Sequence, residues 1–148
     1  MERKASVQWK GNIQQGLGEI STESGVLNKT PYSFGRRFGT EKGTNPEELI
    51  AAAHSSCFAM AFTAALGQKG FTPDTINVNA AVSIEKNGSD WVITHSNLVL
   101  RAKIPGIDQN QFKTIAEDAK NNCPVSRLLD TEISLDASLD ESEMRAAH

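Results

Sequence analysis

The chain has no surplus of positive charge: across 148 residues, 15 Lys and Arg stand against 18 Asp and Glu, a formal net charge of -3. Nucleic acid and anionic membrane surfaces both call for a basic stripe, so neither is expected as a partner. The sequence also lacks a Cys-x-x-Cys pair and any Cys/His set at zinc-finger spacing, which disfavours a structural metal site. No leader pattern opens it, since MERKASVQWKGNIQQG turns polar almost at once, and a cytoplasmic protein is expected. In that compartment thiols are kept reduced, so a permanent disulfide between the two cysteines, Cys57 and Cys123, is disfavoured as well. Either these are two inert buried thiols or they are a pair that cycles. Long apolar runs are scarce too. The one uncharged stretch, Leu49 to Leu66, is rich in Ala, Ser and Thr, and suits the buried helix of a soluble protein better than a membrane span.

What is present reads as one α+β domain over residues 1–140, with residues 141–148 a frayed tail. Strand-like pieces ASVQWK, GLGEIST and GVLNKTPYSF, separated by turn residues, predict an N-terminal antiparallel meander. GRRFGTEKGTNPEE follows as an irregular loop, the kind of segment that often carries function. Asn45 as cap, Pro46 in the first turn and Glu47 and Glu48 beside the helix dipole start a helix that should run to Gln68. Lys69 and Gly70 mark its end. Small residues on several of its faces predict a central helix with other elements packed closely around it.

From Ile76 to Ile84 apolar and polar residues alternate, which predicts a half-buried strand. KNGSD turns it back into a return strand, with Val92, Leu98, Leu100, Ala102 and Ile104 on the same parity. Asp108 and Gln111 form a capping-box pattern before a second helix carrying Phe112, Ile115 and Ala119. Cys123 and Pro124 begin a short further helix. Ile133, Leu135, Ala137 and Leu139 alternate in a last strand.

On the central helix Glu47, Ile50, His54 and Cys57 fall on one stripe, so a carboxylate and a thiol share a face. A thiol ionises near neutral pH only if something positive offsets its burial, and Arg36 or Arg37 in the preceding loop is the available source. A carboxylate such as Glu47, or its neighbour Glu48, can hold a guanidinium through paired hydrogen bonds. Cys123, at a helix cap, is expected to have its own pKa lowered by the exposed backbone N–H groups there. His54, one turn before Cys57, is expected to pack or hydrogen-bond rather than act as a base. A hydrolase pairing Cys57 with His54 or His95 lacks an orienting acid.

The run STESGVLNKTPYSFGRRFGTEKGTNPEELIAAAHSSCF, together with NNCPVSRLL, resembles the OsmC/Ohr family of osmotically inducible and organic hydroperoxide resistance proteins, over residues 5 to 139. It is most similar to the OsmC branch, in which an arginine lies in an Arg-Phe loop shortly before the central helix. The resemblance implies an intertwined α+β homodimer with further antiparallel strands after the central helix, and a thiol peroxidase needing no metal, haem or flavin. It places the attacking cysteine at Cys57, the resolving cysteine at Cys123, the activating arginine at Arg37 and the carboxylate that holds it at Glu47. It also implies an organic hydroperoxide as substrate and a dithiol as reductant, with lipoylated proteins as one source. Phe38 and Met60 are the candidate apolar lining of a substrate pocket. A redox sensor without turnover and a binding module for an apolar ligand are the competing functions.

Overall fold

The computed structural model describes residues 1–142; from residue 143 on, the expected tail lies outside them. The chain forms two compact units, with the boundary in the sequence between Leu49 and Ile50.

The first unit contains the expected meander: β1 (Ala5–Lys10), β2 (Leu17–Thr22) and β3 (Thr30–Tyr32), antiparallel and in that order. The third strand is shorter than the sequence suggests. The segment after it is not irregular from the start, because a short helix, α1 (Phe34–Phe38), forms there. Ser33 makes this possible by accepting the Arg36 N–H on its hydroxyl at 3.3 Å, satisfying a donor that a helix start leaves open.

Helix α2 (Pro46–Gln68) has the expected limits. The Asn45 side-chain oxygen accepts the Glu48 N–H at 2.8 Å. At the other end the N–H groups of Gly70 and Phe71 return to the carbonyls of Gly67 and Leu66, at 3.1 and 3.0 Å. This closure needs a left-handed residue, and Gly70 supplies it with φ of +83°.

In the second unit α2 is followed by β4 (Thr75–Asn87), β5 (Asp90–Lys103), α3 (Gln109–Asn122), α4 (Pro124–Leu128) and β6 (Glu132–Leu139). The strands form one sheet with β5 in the middle. The sheet is not antiparallel throughout: β4 and β5 are a hairpin, but β6 runs parallel to β5. A parallel return requires a crossover, and α3 with α4 provides it. A capping box of Asp108 and Gln111 opens α3, as its sequence predicts.

A second correction concerns parity in β5. Ser83 pairs with His95 while Ile84 pairs with Ile93, so Thr94 is an extra residue in the ladder. Such a bulge flips the side-chain alternation beyond it. Ile93, half-buried, takes the position opposite Ile84, and Val92 is exposed.

Phe58, Phe62 and Leu66 of α2 meet Leu98 and Leu100 of β5 and Phe112 of α3 in a core from which all six are fully withdrawn from solvent. Phe62 stands edge-on to Phe112 with ring centroids 5.8 Å apart. Burying each such side chain is worth about 1.5–3 kcal/mol. Only that stripe of α2 is buried. By length and composition the helix would suffice to cross a membrane, and just 22% of its most apolar window is buried within this chain. The expected central helix with its cysteine is present, and within this chain Ala52, Ala53, Ser56, Met60, Thr63 and Ala64 form an exposed stripe opposite the core.

Candidate active site

In the first unit, α1 and the first turn of α2 position an arginine against a carboxylate. Arg37 donates from Nη2 to Glu47 Oε1 at 2.7 Å and from Nε to both carboxylate oxygens at 3.2 Å. The Glu47 side chain is 8% exposed and that of Arg37 36%. A charge-assisted, multiply bonded pair with one partner buried orients its guanidinium far better than a surface pair does. The two neighbours named with them do other things. Arg36 donates to the Lys42 carbonyl at 3.0 Å, and Glu48 remains exposed. Gly43 permits this course of Arg36, since a Cβ there would collide with the Arg36 side chain and its φ is +147°. Asn45 ties the pieces together by donating to the Arg36 carbonyl at 3.2 Å while capping α2. The Phe38 ring lies 5.1 Å from the Arg37 guanidinium carbon and 5.0 Å from the Phe34 ring.

The second unit brings the two cysteines together although they are far apart in sequence. Cys57, half-buried on α2, packs against the core that contains the buried Cys123 and is close enough to feel it electrostatically; both thiols are free. The Cys57 sulfur also accepts the backbone N–H of Val125. Burial pushes the Cys57 thiol above its ordinary pKa; the Val125 N–H pulls it down, and Cys123 beside it pushes it up again.

The short helix α4 begins as its sequence predicts. Cys123 does occupy the N-cap position, with Pro124 next, but its side chain makes no capping hydrogen bond. The Val125 N–H of this first turn acts on the Cys57 sulfur. Val125 was not among the candidate residues, because which sulfur faces a helix start is decided by how α4 packs rather than by local sequence.

His54 is fully buried, with Nδ1 2.7 Å from Ser96 Oγ of β5 and Nε2 2.7 Å from Ser126 Oγ of α4. Desolvation lowers its pKa, so the ring is neutral. Both ring nitrogens are occupied by hydroxyls, which does not match a cysteine–histidine hydrolase pair. Ser96 and Ser126 were also missed. Ser96 carried a signal, a polar residue on the core-facing parity of an otherwise apolar strand; Ser126 carried none. Met60 is 75% exposed on the outward stripe of α2. Among the described residues no group of three or more His, Cys, Asp or Glu side chains gathers as metal ligands would.

Residues 39–138 match the family model of OsmC-like proteins. The peroxiredoxin OsmC of Escherichia coli (strain K12) is 49% identical over 139 residues, covering 94% of this chain and 97% of that protein. The organic hydroperoxide resistance protein of Xanthomonas axonopodis pv. citri (strain 306) is 33% identical over 98 residues, 66% of each chain. Among solved structures, an OsmC-like protein of Vibrio cholerae O1 biovar eltor superposes with a TM-score of 0.74 over 93% of this chain and 99% of its own. At 21% identity this is a likeness of fold.

Proposed function

The chain belongs to the OsmC-like protein family, and from that premise we propose that it is a cysteine-based peroxidase reducing organic hydroperoxides to alcohols, with Cys57 as the attacking sulfur. The supporting observation is the half-buried Cys57 thiol, which is favoured by a backbone N–H and has a second free thiol as its neighbour. As thiolate, Cys57 attacks the outer peroxide oxygen; the O–O bond breaks and the alkoxide leaves, taking a proton to become the alcohol. The sulfur is left as a sulfenic acid. Cys123 then attacks that sulfur, a disulfide forms and water departs. Two electrons from an external dithiol, such as a lipoylated protein, return both thiols.

In this reading Arg37 stabilises the thiolate and the departing alkoxide, and Glu47 holds the guanidinium in the required orientation. The family resemblance and the Arg37–Glu47 geometry support those roles. Phe38, beside Arg37, and Met60, one turn past Cys57, offer apolar contact to the organic part of the substrate; each buried methylene is worth about 0.8 kcal/mol. The protein works as a homodimer, for which the exposed small-residue stripe of α2 is the candidate contact. The family match runs across the Leu49–Ile50 boundary, which supports a single domain over residues 1–140. A cytoplasmic setting, where thiols are readily re-reduced, fits this cycle.

The test is consumption of cumene hydroperoxide and tert-butyl hydroperoxide with a dithiol. Cys57→Ser should have no activity, Arg37→Ala nearly none, and Cys123→Ser one turnover at most. Full activity in Cys57→Ser would overturn the proposal, and formation of the disulfide without steady peroxide consumption would replace it with a redox sensor.

A further inference from the structure

Helix α4 has five residues, and Ser126 is the one among them that is buried. Immediately before Ser126 lies Val125, whose N–H meets Cys57; at the helix cap lies Cys123. The placement of both groups against Cys57 thus depends on how α4 is seated, and Ser126 anchors that seat through its 2.7 Å contact with His54 Nε2. The other ring nitrogen is fixed at 2.7 Å to Ser96 of β5, the middle strand. His54 sits one turn before Cys57, so the helix that bears the sulfur also bears the post to which α4 is tied.

We propose that His54 is a positioning residue: by holding Ser126 it seats α4 so that the Val125 amide and Cys123 are both presented to the Cys57 sulfur. The inference rests on Cys57 being the attacking sulfur. A neutral imidazole has one donor and one acceptor, so it gives a proton to one serine and takes one from the other. Phe58, one turn further along α2, and Leu98, two residues beyond Ser96 on β5, both belong to the apolar core. An apolar side chain of the same size would fill that space but leave the rotation of α4 undetermined; a fully satisfied polar chain fixes it. The groups facing His54 from β5 and α4 are uncharged hydroxyls, and the titratable neighbour of Cys57 is Cys123.

The two arms of this connection separate cleanly. Ser126→Ala cuts the arm to α4 and Ser96→Ala the arm to β5. A glutamine nitrogen reproduces the Nε2 position of histidine and an asparagine nitrogen the Nδ1 position, so His54→Gln retains the α4 arm and His54→Asn the β5 arm. The measurement is iodoacetamide alkylation of the reduced, full-length protein as a function of pH, with Cys57 labelling followed by peptide mass spectrometry. Ser126→Ala and His54→Asn should move the Cys57 midpoint up by about one pH unit, making alkylation at pH 7 about tenfold slower. Ser96→Ala and His54→Gln should leave the midpoint in place even where they lower thermal stability. An unmoved midpoint in folded Ser126→Ala or His54→Asn, or equal shifts from both arms, would overturn the inference. Alkylation requires no peroxide, so this failure is distinct from failure of the peroxidase reading, which is decided by turnover in Cys57→Ser.

Discussion

The Cys57 sulfur stands between opposed influences, burial and a second thiol resisting its ionisation and a backbone N–H favouring it. His54 stands under one influence, desolvation, and this has a consequence for stability. Its folded pKa is below the unfolded value of 6.5, so below that pH the unfolded chain binds more protons than the folded one. The stability contributed by the neutral ring is fully present above 6.5 and declines as the pH falls from there toward the folded pKa. Urea denaturation should show this decline, at most about 1.4 kcal/mol per pH unit, and His54→Gln should lose that portion of it. Single residues differed in how plainly the sequence showed them. Cys57, Glu47 and the Arg36–Arg37 pair were legible from helix spacing and charge, the resemblance chose Arg37 and Glu47, and each guanidinium touches something different in the structure. The Val125 amide and Ser126 escaped notice because their roles depend on partners brought close only by the crossover.

At the scale of elements, local chemistry foretold most boundaries. Helix α2 has the predicted ends because Asn45, Gly70 and the first-turn carboxylates all act within a few residues. Asn45 does more than cap, since it also donates to the Arg36 carbonyl and so links α1 to α2. Asn45→Ala should therefore cost about 1 kcal/mol from the lost cap and, unlike an ordinary cap deletion, also reduce peroxide turnover by loosening the Arg37–Glu47 pair. Thermal denaturation and peroxide assays on the same protein check both halves. What escaped prediction at this scale was non-local. The direction of β6 follows from α3 and α4 lying between it and β5, and the parity of Val92 was lost to a single extra residue at Thr94.

At the scale of the molecule, the outward stripe of α2 is the feature that a lone chain leaves unexplained. If it joins two copies, size-exclusion chromatography with light scattering should give about twice the chain mass of 16.0 kDa, and Ala64→Glu should lower it toward one chain by placing a charge in the contact. The closeness of the two cysteines before any oxidation also bears on how the protein would fare when substrate floods it. A sulfenic acid is vulnerable to a second peroxide for as long as it waits for a thiol, and on the proposed reading the thiol it waits for, Cys123, is already its neighbour. If Cys57 and Cys123 act as proposed, the molecule is built to outlast a surge of its own substrate, trading a wound that no dithiol can mend for a bond that one can.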